Sequence, residues 1–335
     1  ADVVFPFFLF IMGVAMFLSL QKFRFEWSAA LVRKIVKRTL LLFAIGLAIN
    51  WLDMACDGRP LDLGHLRIMG VMQRISLCYG LTSFIVLALA SSARACGTRH
   101  VMTGGLGAIV MAVLIGHSYM LLAHGGFDYD AATNYLAHID LSVLGHDHLY
   151  HKSPVDPEGL GSTLAAACNT LVGFLLAALA FGERCSDRAR HAQRVFADGG
   201  GLLIVVAALA CGAISLNKRV WSPSYVLMTC ALAAMLQGLL IAAIDVRQVA
   251  RHRAAPRAAG RLTLVFGTNP LFLYVASEAL AIILSATGLK DGIYGLLLCL
   301  IPSEPWASVA YSLLFLAVMT LMGYPLWKRH IYIKL

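Results

Sequence analysis

The sequence contains very little charge. Asp, Glu, Lys and Arg make up 13% of its 335 residues, whereas apolar side chains make up 59%. So few charges exclude a highly solvated, disordered chain, and so many apolar residues exclude an ordinary soluble domain. The mean hydropathy of +0.76 leads to the same conclusion. Composition therefore predicts an all-α fold, a polytopic transmembrane helical bundle whose first partner is the lipid bilayer.

Several catalytic and metal-binding motifs are missing as well. The sequence has no Walker A phosphate loop, no G-x-S-x-G, and no G-x-G-x-x-G beside a strand pattern, so nucleotide hydrolysis and serine-esterase chemistry are unsupported. The eight cysteines include no C-x-x-C pair and mostly lie in apolar runs, which indicates small buried side chains. The net charge of +9 indicates basic cytoplasmic loops in a membrane protein, and we expect no nucleic acid partner.

Apolar windows of about twenty residues predict nine membrane spans. They lie at 3–20, 39–52 (with an amphipathic lead-in from Trp27), 68–91, 101–123, 159–182, 201–216, 222–244, 262–286 and 306–327. A tenth run, 292–301, is too short to cross and is closed by Pro302, which predicts a re-entrant or interfacial segment. No soluble second domain is visible, so we expect a single transmembrane domain over 1–335.

The basic residues predict the orientation of these spans. Of the 27 Lys and Arg residues, 20 lie in the segments 21–38, 92–100, 183–199, 245–261 and 328–335. Because cytoplasmic loops accumulate Lys and Arg, these segments are predicted to be cytoplasmic. The long polar loop 124–158 then faces the periplasm or a lumen, and loops of that length are often functional.

The stretch 145–163, at the end of this loop, contains three His, two Asp and one Glu, the densest group of ionisable side chains of these types. One interpretation is an acid–base His148 that is oriented by Asp147. A second is a metal site, for which the candidate ligands are His146, Asp147, His148 and His151. A third is a solvated polar loop without chemistry.

The same stretch contains a predicted helix start. Asp156-Pro157-Glu158 has a cap residue, a first-turn Pro and a first-turn acid, and predicts a helix from about Glu158 to Gly182. The two carboxylates are also candidates to bind hydroxyl or amino groups of a ligand.

Two arginines flank Gly70 at the start of the third predicted span. Arg67 and Arg74 are close to two helical turns apart, so they are expected on one face. An Arg inside a span is costly and usually faces a cavity or a partner. The pair either binds phosphates or another anion along a polar shaft, or forms a structural ion pair, for instance with Glu278, or snorkels to the membrane surface.

Two further segments combine polar residues with a helix start. In the external turn 217–225, Ser222 fits an N-cap and Pro223 a first turn, while Trp221 and Tyr225 are either interfacial aromatics or part of a sugar or nucleotide site. Within the span 262–286, Pro270 is predicted to break the helix, and Asn269 can satisfy the backbone groups that the break frees.

The motifs together resemble those of a known family. The sequence is similar to the heparan-α-glucosaminide N-acetyltransferase family, in the form of its bacterial inner-membrane relatives within a transmembrane acyltransferase superfamily. The segments that carry the resemblance, in order, are Ala1-Asp2-Val3-Val4-Phe5-Pro6 with the following Phe7–Gly13, Arg67–Arg74, Asp147–Tyr150, Asp156–Gly159 and Asn217–Tyr225.

The resemblance implies acyl transfer across a membrane, from acetyl-CoA supplied by the cytosol to the amino group of a glucosamine or related glycan. It implies a bacterial inner membrane, with loop 124–158 on the periplasmic side. The family's favoured catalytic His lies just before the Ala-Asp-x-Val-Phe-Pro motif, so we expect a tenth span and that His before residue 1. Met69 stands where many members have Pro.

On this hypothesis the visible catalytic candidates are His148 and Asp147, with the His expected before residue 1 as principal base or acyl carrier. The acetyl-CoA candidates are Arg67, Gln73, Arg74, Lys218 and Arg219. The acceptor candidates are Asp156, Glu158, Asn217, Trp221, Ser222, Tyr225 and Asn269. No metal is expected, and a homodimer is left open. The alternatives are an amino-sugar or N-acetylglucosamine transporter, and a degenerate member that binds sugar or partner proteins without turnover.

Overall fold

The chain is almost entirely helical in the computed structural model, which describes residues 2–95, 100–123, 134–150, 155–182, 187–246 and 258–333. The α-helices are α1 (Val4–Gln21), α2 (Ala29–Cys56), α3 (Val71–Ala95), α4 (His100–Ala123), α5 (Tyr135–Leu144), α6 (Leu160–Phe181), α7 (Arg188–Ala213), α8 (Pro223–Ile241), α9 (Ala258–Thr268), α10 (Pro270–Ala286), α11 (Leu289–Leu300) and α12 (Glu304–Lys328). This confirms the all-α prediction. Residues 124–133 and 151–154 of the predicted loop, and with them His151, lie outside the described residues.

Eight of the described helices are long and apolar enough to cross a membrane: α1, α2, α3, α4, α6, α7, α8 and α12. The bent pair α9–α10 adds a ninth if it is counted as one span. The chain is therefore an integral membrane protein with a polytopic helical bundle. Helix α11 has 12 residues and covers the run that the sequence marked as too short to cross.

Two helices extend well beyond the apolar windows that predicted them. Helix α7 begins at Arg188 rather than at 201, and the Asp187 side chain caps it by accepting from Arg190 N at 3.2 Å. Helix α2 runs without interruption through its basic lead-in to Cys56. The reason is that a hydropathy window detects only the apolar length that fits inside the bilayer. A helix can continue beyond the bilayer into water when its end has charged residues and a capping side chain.

The chain divides into two compact units. The first comprises Ala1–Gly46 and Arg67–Val249, and the second comprises Leu47–Leu66 and Ala250–Leu335. The single domain over 1–335 stays a prediction.

Helix α6 is the centre of the first unit and packs against α1, α3, α4, α5, α7 and α8. It can do so because 16 of its 22 residues are buried and most of those are small. Its closest neighbour is α1, where a Cβ on Gly13 would overlap the Thr170 carbonyl and a Cβ on Gly173 would overlap that of Phe10. Glycine at both positions lets the two backbones touch, as in other membrane helix pairs.

The second unit contains the break that was predicted at Pro270. Helices α9 and α10 meet at an angle of 85°. The sequence predicts that the Asn269 side chain satisfies the backbone groups freed by this break, but it does not. Its amide donates to Ile331 O and accepts from Ile333 N, both at 2.8 Å. Asn269 therefore fixes the segment that follows α12.

Candidate active site

The outer rim of the first unit is organised around Arg67. Its Nη2 lies 2.9 Å from Asp156 Oδ1 and 2.8 Å from Glu158 Oε2, and its guanidinium carbon lies 4.5 Å from the centroid of the Tyr150 ring. The Asp156 side chain is fully buried, whereas those of Arg67 and Glu158 are 24% and 18% exposed. Arg67 thus forms a structural ion pair, which was one of the interpretations of this arginine. Its partners are not Glu278 but Asp156 and Glu158, which are the two acids predicted to bind the acceptor.

Residues 156–159 form a turn and not the first turn of α6. Asp156 Oδ1 accepts from Glu158 N at 2.9 Å, Asp156 Oδ2 accepts from Tyr150 N at 3.0 Å, and Gly159 N donates to Asp156 O. Helix α6 begins at Leu160, with Gly159 as a cap residue that has no side chain to offer. The predicted helix start at Asp156-Pro157-Glu158 is therefore wrong, because Asp156 closes the preceding turn and binds Arg67.

The carboxylate that caps α6 comes from another helix. Asp140, on the short helix α5, accepts from Gly161 N at 2.9 Å and is 1% exposed. Burial raises the pKa of Asp140 to about 6, against the opposing effect of that hydrogen bond. Sequence reasoning missed Asp140, although a single acid in the apolar run Tyr135–Leu144 was a usable signal.

Arg74 lies deeper, on α3, and is completely buried. Its Nη2 donates to Gly159 O at 2.9 Å and to Ser162 Oγ, so it binds the same helix start as Asp140. Its Nε and Nη1 have no hydrogen-bond partner among the described residues. The neighbouring Gln73 is also buried, and its Nε2 is likewise without a partner in the part of the chain that the structure describes.

Trp221 provides the other wall of the Arg74 environment. The Arg74 guanidinium carbon lies 5.0 Å from the centroid of its ring. The indole Nε1 donates to Asn169 Oδ1 at 3.0 Å, and the Asn169 amide donates to Thr229 Oγ1 at 3.0 Å. Trp221 is 1% exposed, so it is not an interfacial aromatic. Stacking on an indole face stabilises a guanidinium without neutralising it.

The turn that carries Trp221 is closed by its own polar residues. Ser222 caps α8 as predicted, because its Oγ accepts from Tyr225 N at 3.4 Å, and it also accepts from Asn217 N at 3.0 Å. Asn217 Oδ1 accepts from Arg219 N at 2.7 Å. Asn217 and Ser222 thus shape this turn, whatever else they bind.

Two side chains tie this turn to the start of the chain. Lys218 Nζ lies 3.1 Å from Asp2 Oδ1, with both side chains well exposed, and the Tyr225 hydroxyl donates to Asp2 O. The hydrogen bond from Lys218, with its charge, lowers the pKa of Asp2. Tyr225 is buried and packs edge-on to Trp221, with ring centroids 5.2 Å apart. Arg219 is exposed at the surface.

A buried histidine supports the same turn from α4. His117 Nε2 donates to Val220 O at 3.0 Å, and the Tyr135 hydroxyl donates to Nδ1 of the same ring. These bonds assign the neutral tautomer that carries its proton on Nε2. No sequence pattern singles out His117, because its role depends on the meeting of α4, α5 and the turn before α8 in space.

The predicted catalytic pair lies at the surface of the rim. His146–His148 form a single 3₁₀ turn, and His148 O accepts from Ile68 N at 3.3 Å, which links the turn to the Arg67 segment. Asp147 Oδ1 lies 3.7 Å from His146 Nδ1, and both side chains are more than half exposed. The orientation of His148 by Asp147 stays a prediction.

The first unit therefore brings most of the candidates together around the start of α6. Asn269 belongs to the second unit. No group of three His, Cys, Asp or Glu side chains in the described ranges could hold a metal ion.

Comparison with known proteins finds two curated proteins that are similar to this chain. No family model matches the chain. The chain is 28% identical to the heparan-alpha-glucosaminide N-acetyltransferase of Homo sapiens over 298 residues, which cover 74% of this chain and 43% of that protein. It is 28% identical to the Mus musculus protein of the same name over 331 residues, covering 84% and 48%. The chain thus spans about half the length of these curated relatives. Both matches agree with the motif resemblance to the heparan-alpha-glucosaminide N-acetyltransferases.

Proposed function

We propose that this chain is a membrane-embedded acyltransferase, which moves an acetyl group from acetyl-CoA to an amino sugar of the glucosamine type or a related glycan. We place the reaction at the periplasmic face of a bacterial inner membrane. The relatives are named as N-acetyltransferases of a glucosaminide, which supports the reaction class. The observation that carries the proposal for the site is Arg74, a buried cation on α3 that faces the start of α6 and has two nitrogens without a partner among the described residues.

Arg74 suits the acyl donor better than Arg67 does. Coenzyme A carries phosphates, and a guanidinium with free donors binds phosphate oxygens strongly. Arg67 already contacts two carboxylates, which a phosphate would have to displace. Arg67, Lys218 and Arg219 as further ligands of the donor stay predictions, and Gln73 can add an amide donor beside Arg74.

The rim suits the acceptor. Glu158 is partly exposed and the buried Asp156 fixes Arg67, so the turn offers carboxylate oxygens to hydroxyl or amino groups. Trp221 and Tyr225 are buried, the Arg74 guanidinium lies over the Trp221 ring, and Tyr225 packs against Trp221 from its own helix. His148 remains the candidate acid–base group of the rim, beside the His that the family resemblance implies before residue 1.

The test is acetyl-CoA binding and turnover on the purified full-length protein, with glucosamine and small glucosaminides as acceptors. Release of free CoA that depends on the amino sugar is the expected result. Arg74→Met should weaken acetyl-CoA binding by about 10- to 100-fold, because hydrogen bonds to charged groups contribute ~1.5–3 kcal/mol. Arg190→Met, which removes an exposed Arg on α7, is the matched control and should bind normally. Normal binding by both variants would exclude Arg74 from the donor site.

A transporter of amino sugars is the second candidate, and the 85° break between α9 and α10 favours it. Broken helices in transporters often lie at binding sites. The two functions differ in chemistry: a transporter moves labelled sugar unchanged, whereas an acyltransferase consumes acetyl-CoA. Uptake of unmodified sugar into vesicles, without CoA release, would establish the transporter.

A further inference from the structure

The start of α6 lies between two buried charges of opposite sign. Arg74 donates to Gly159 O and Ser162 Oγ, and Asp140 accepts from Gly161 N, so both bind the four-residue segment 159–162 at different residues. Arg74 is 0% exposed and Asp140 is 1% exposed. Charges that are this deeply buried are normally neutralised by a direct partner.

Each of these two charges keeps polar atoms that no described residue satisfies. Arg74 Nε and Nη1 have no hydrogen-bond partner in the ranges given above, and the same holds for Asp140 Oδ2. The backbone leaves room for this oxygen only because residue 159 is glycine, since a Cβ there would overlap the Asp140 carboxylate. Unsatisfied buried groups are costly in a native protein, and they often mark a ligand or catalytic site.

We propose that Asp140 and Arg74 form the reacting subsite of the acyltransferase, in which Asp140 binds and deprotonates the acceptor ammonium while Arg74 holds the anionic acyl donor. This proposal rests on the function proposed above. The two substrates differ in charge as the two side chains do: acyl-CoA is a polyanion, and an amino sugar is a cation. Both must meet for transfer, and both charges contact residues 159–162.

The chemical step balances with these groups. The Asp140 carboxylate accepts one proton from the ammonium, and the freed nitrogen lone pair forms a C–N bond to the thioester carbonyl carbon. The C–S bond then breaks, and the sulfur leaves with its electron pair as a thiolate. A second amine proton passes to the thiolate, which gives the neutral amide and free CoA, and protonated Asp140 releases its proton to water.

The electrostatics of Asp140 suit a general base. Burial raises its pKa to about 6, the nearby Asp156 raises it further, and the backbone hydrogen bonds of Gly161 and Leu160 and the Arg74 charge oppose the rise. Asp140 in turn raises the pKa of Tyr135, which lies on the same helix α5. A base is most effective when its pKa lies near the working pH, so such a carboxylate is better matched to an amine than an ordinary Asp is.

A purely structural cap is the competing explanation, and the chain contains a natural control for it. Asp187 also accepts a hydrogen bond from a first-turn amide, because its Oδ1 accepts from Arg190 N, but it does so as the N-cap residue of its own helix α7. Its other oxygen, Oδ2, lies 3.0 Å from Arg190 Nε, and both side chains are at least half exposed. Asp187 therefore shares the capping hydrogen bond of Asp140 but not the buried oxygen that lacks a partner among the described residues.

The experiment compares Asp140→Asn with Asp187→Asn in the full-length protein. Asparagine keeps an oxygen that can cap the helix but cannot accept the proton, so both variants should fold. We expect kcat of Asp140→Asn to fall by ~10²-fold or more, in the range of a lost general base. Its Kd for acetyl-CoA should stay unchanged, and Asp187→Asn should behave as wild type. The wild-type rate should decline as pH falls through about 6, and this decline should disappear in Asp140→Asn.

The outcomes separate this proposal from the proposed function. If the wild type transfers acetyl groups and Asp140→Asn does so at the same kcat with the same pH profile, Asp140 is a cap and this inference is overturned. A variant that loses acetyl-CoA binding together with kcat would also overturn it, because the role would be structural. If the wild type shows no acetyl transfer to any amino sugar, the proposed function fails, and the assignment of Asp140 fails with it.

Discussion

Arg67 and Arg74 lie seven residues apart, and their surroundings differ in charge. Arg67, at the rim, contacts the carboxylates of Asp156 and Glu158. Arg74, in the core, contacts a carbonyl, a hydroxyl and an indole ring, all of them uncharged. A cation in contact with two carboxylates holds the structure together, whereas a buried cation that contacts no carboxylate among the described residues keeps donors that can bind an anion. We therefore expect Arg67 to be a structural arginine and Arg74 to be a binding arginine.

The largest expected effect comes from removing Arg67. Arg67→Met leaves the fully buried Asp156 without its cation, and breaking a buried pair in this way costs ~3–5 kcal/mol. We expect a correspondingly lower midpoint in thermal or denaturant unfolding of the protein in detergent. The double variant Arg67→Met/Asp156→Asn should recover much of the loss, since it removes the orphaned charge.

Arg74→Met is the matched control for stability. Gly159 O keeps the Thr163 hydroxyl as a donor at 2.8 Å, and no carboxylate loses its pair, so the midpoint should stay the same or rise. Equal losses in the two single variants would contradict the distinction between a structural and a binding arginine.

The next effect concerns the two aspartates, of which Asp156 is paired and Asp140 is not. The pKa of Asp140 is raised to about 6 in the folded protein, from ~3.9 in an unfolded chain. The folded state therefore binds more protons between these values, and the stability that Asp140 contributes is full below about pH 4 and lost as pH rises through about 6.

Asp140→Asn should remove this dependence. The difference in unfolding free energy between variant and wild type should grow in favour of the variant by up to ~3 kcal/mol between pH 4 and 7. The difference is measured from the unfolding midpoints of both proteins across this pH range. The contributions of all other carboxylates are the same in both proteins and cancel in the difference. A constant difference would show that the Asp140 carboxyl is not desolvated.

The sequence was sufficient for the architecture but not for the partners within the site. Membrane spans depend on local apolar length, so nine were predictable, including the break at Pro270. The cap of α6 was not predictable, because Asp140 reaches Gly161 from a different helix. The cap predicted from Asp156-Pro157-Glu158 was wrong for the same reason. Its local pattern favours a helix cap, but Asp156 instead binds Arg67, which is distant in sequence.

The motif resemblance points to segments of the chain but not to the physical roles of their residues. Trp221 and Arg74 both lie in segments that carried the resemblance, yet only the structure places the guanidinium against the indole. His117 and Asn169, which support these segments from α4 and α6, are single polar residues in apolar helices. A one-dimensional pattern cannot tell such residues from others that merely satisfy a helix carbonyl.

The smallest effect is expected at Lys218, the third cation in this comparison. Its pair with Asp2 is exposed, with side chains 42% and 75% accessible, so water and salt screen it. Lys218→Met should lower the unfolding midpoint far less than Arg67→Met does, and the small difference should vanish at high salt. If acetyl-CoA affinity also stays unchanged, Lys218 is a surface charge. A loss of affinity comparable to that of Arg74→Met would instead extend the donor site to the turn before α8, and burial would then no longer separate binding cations from structural ones.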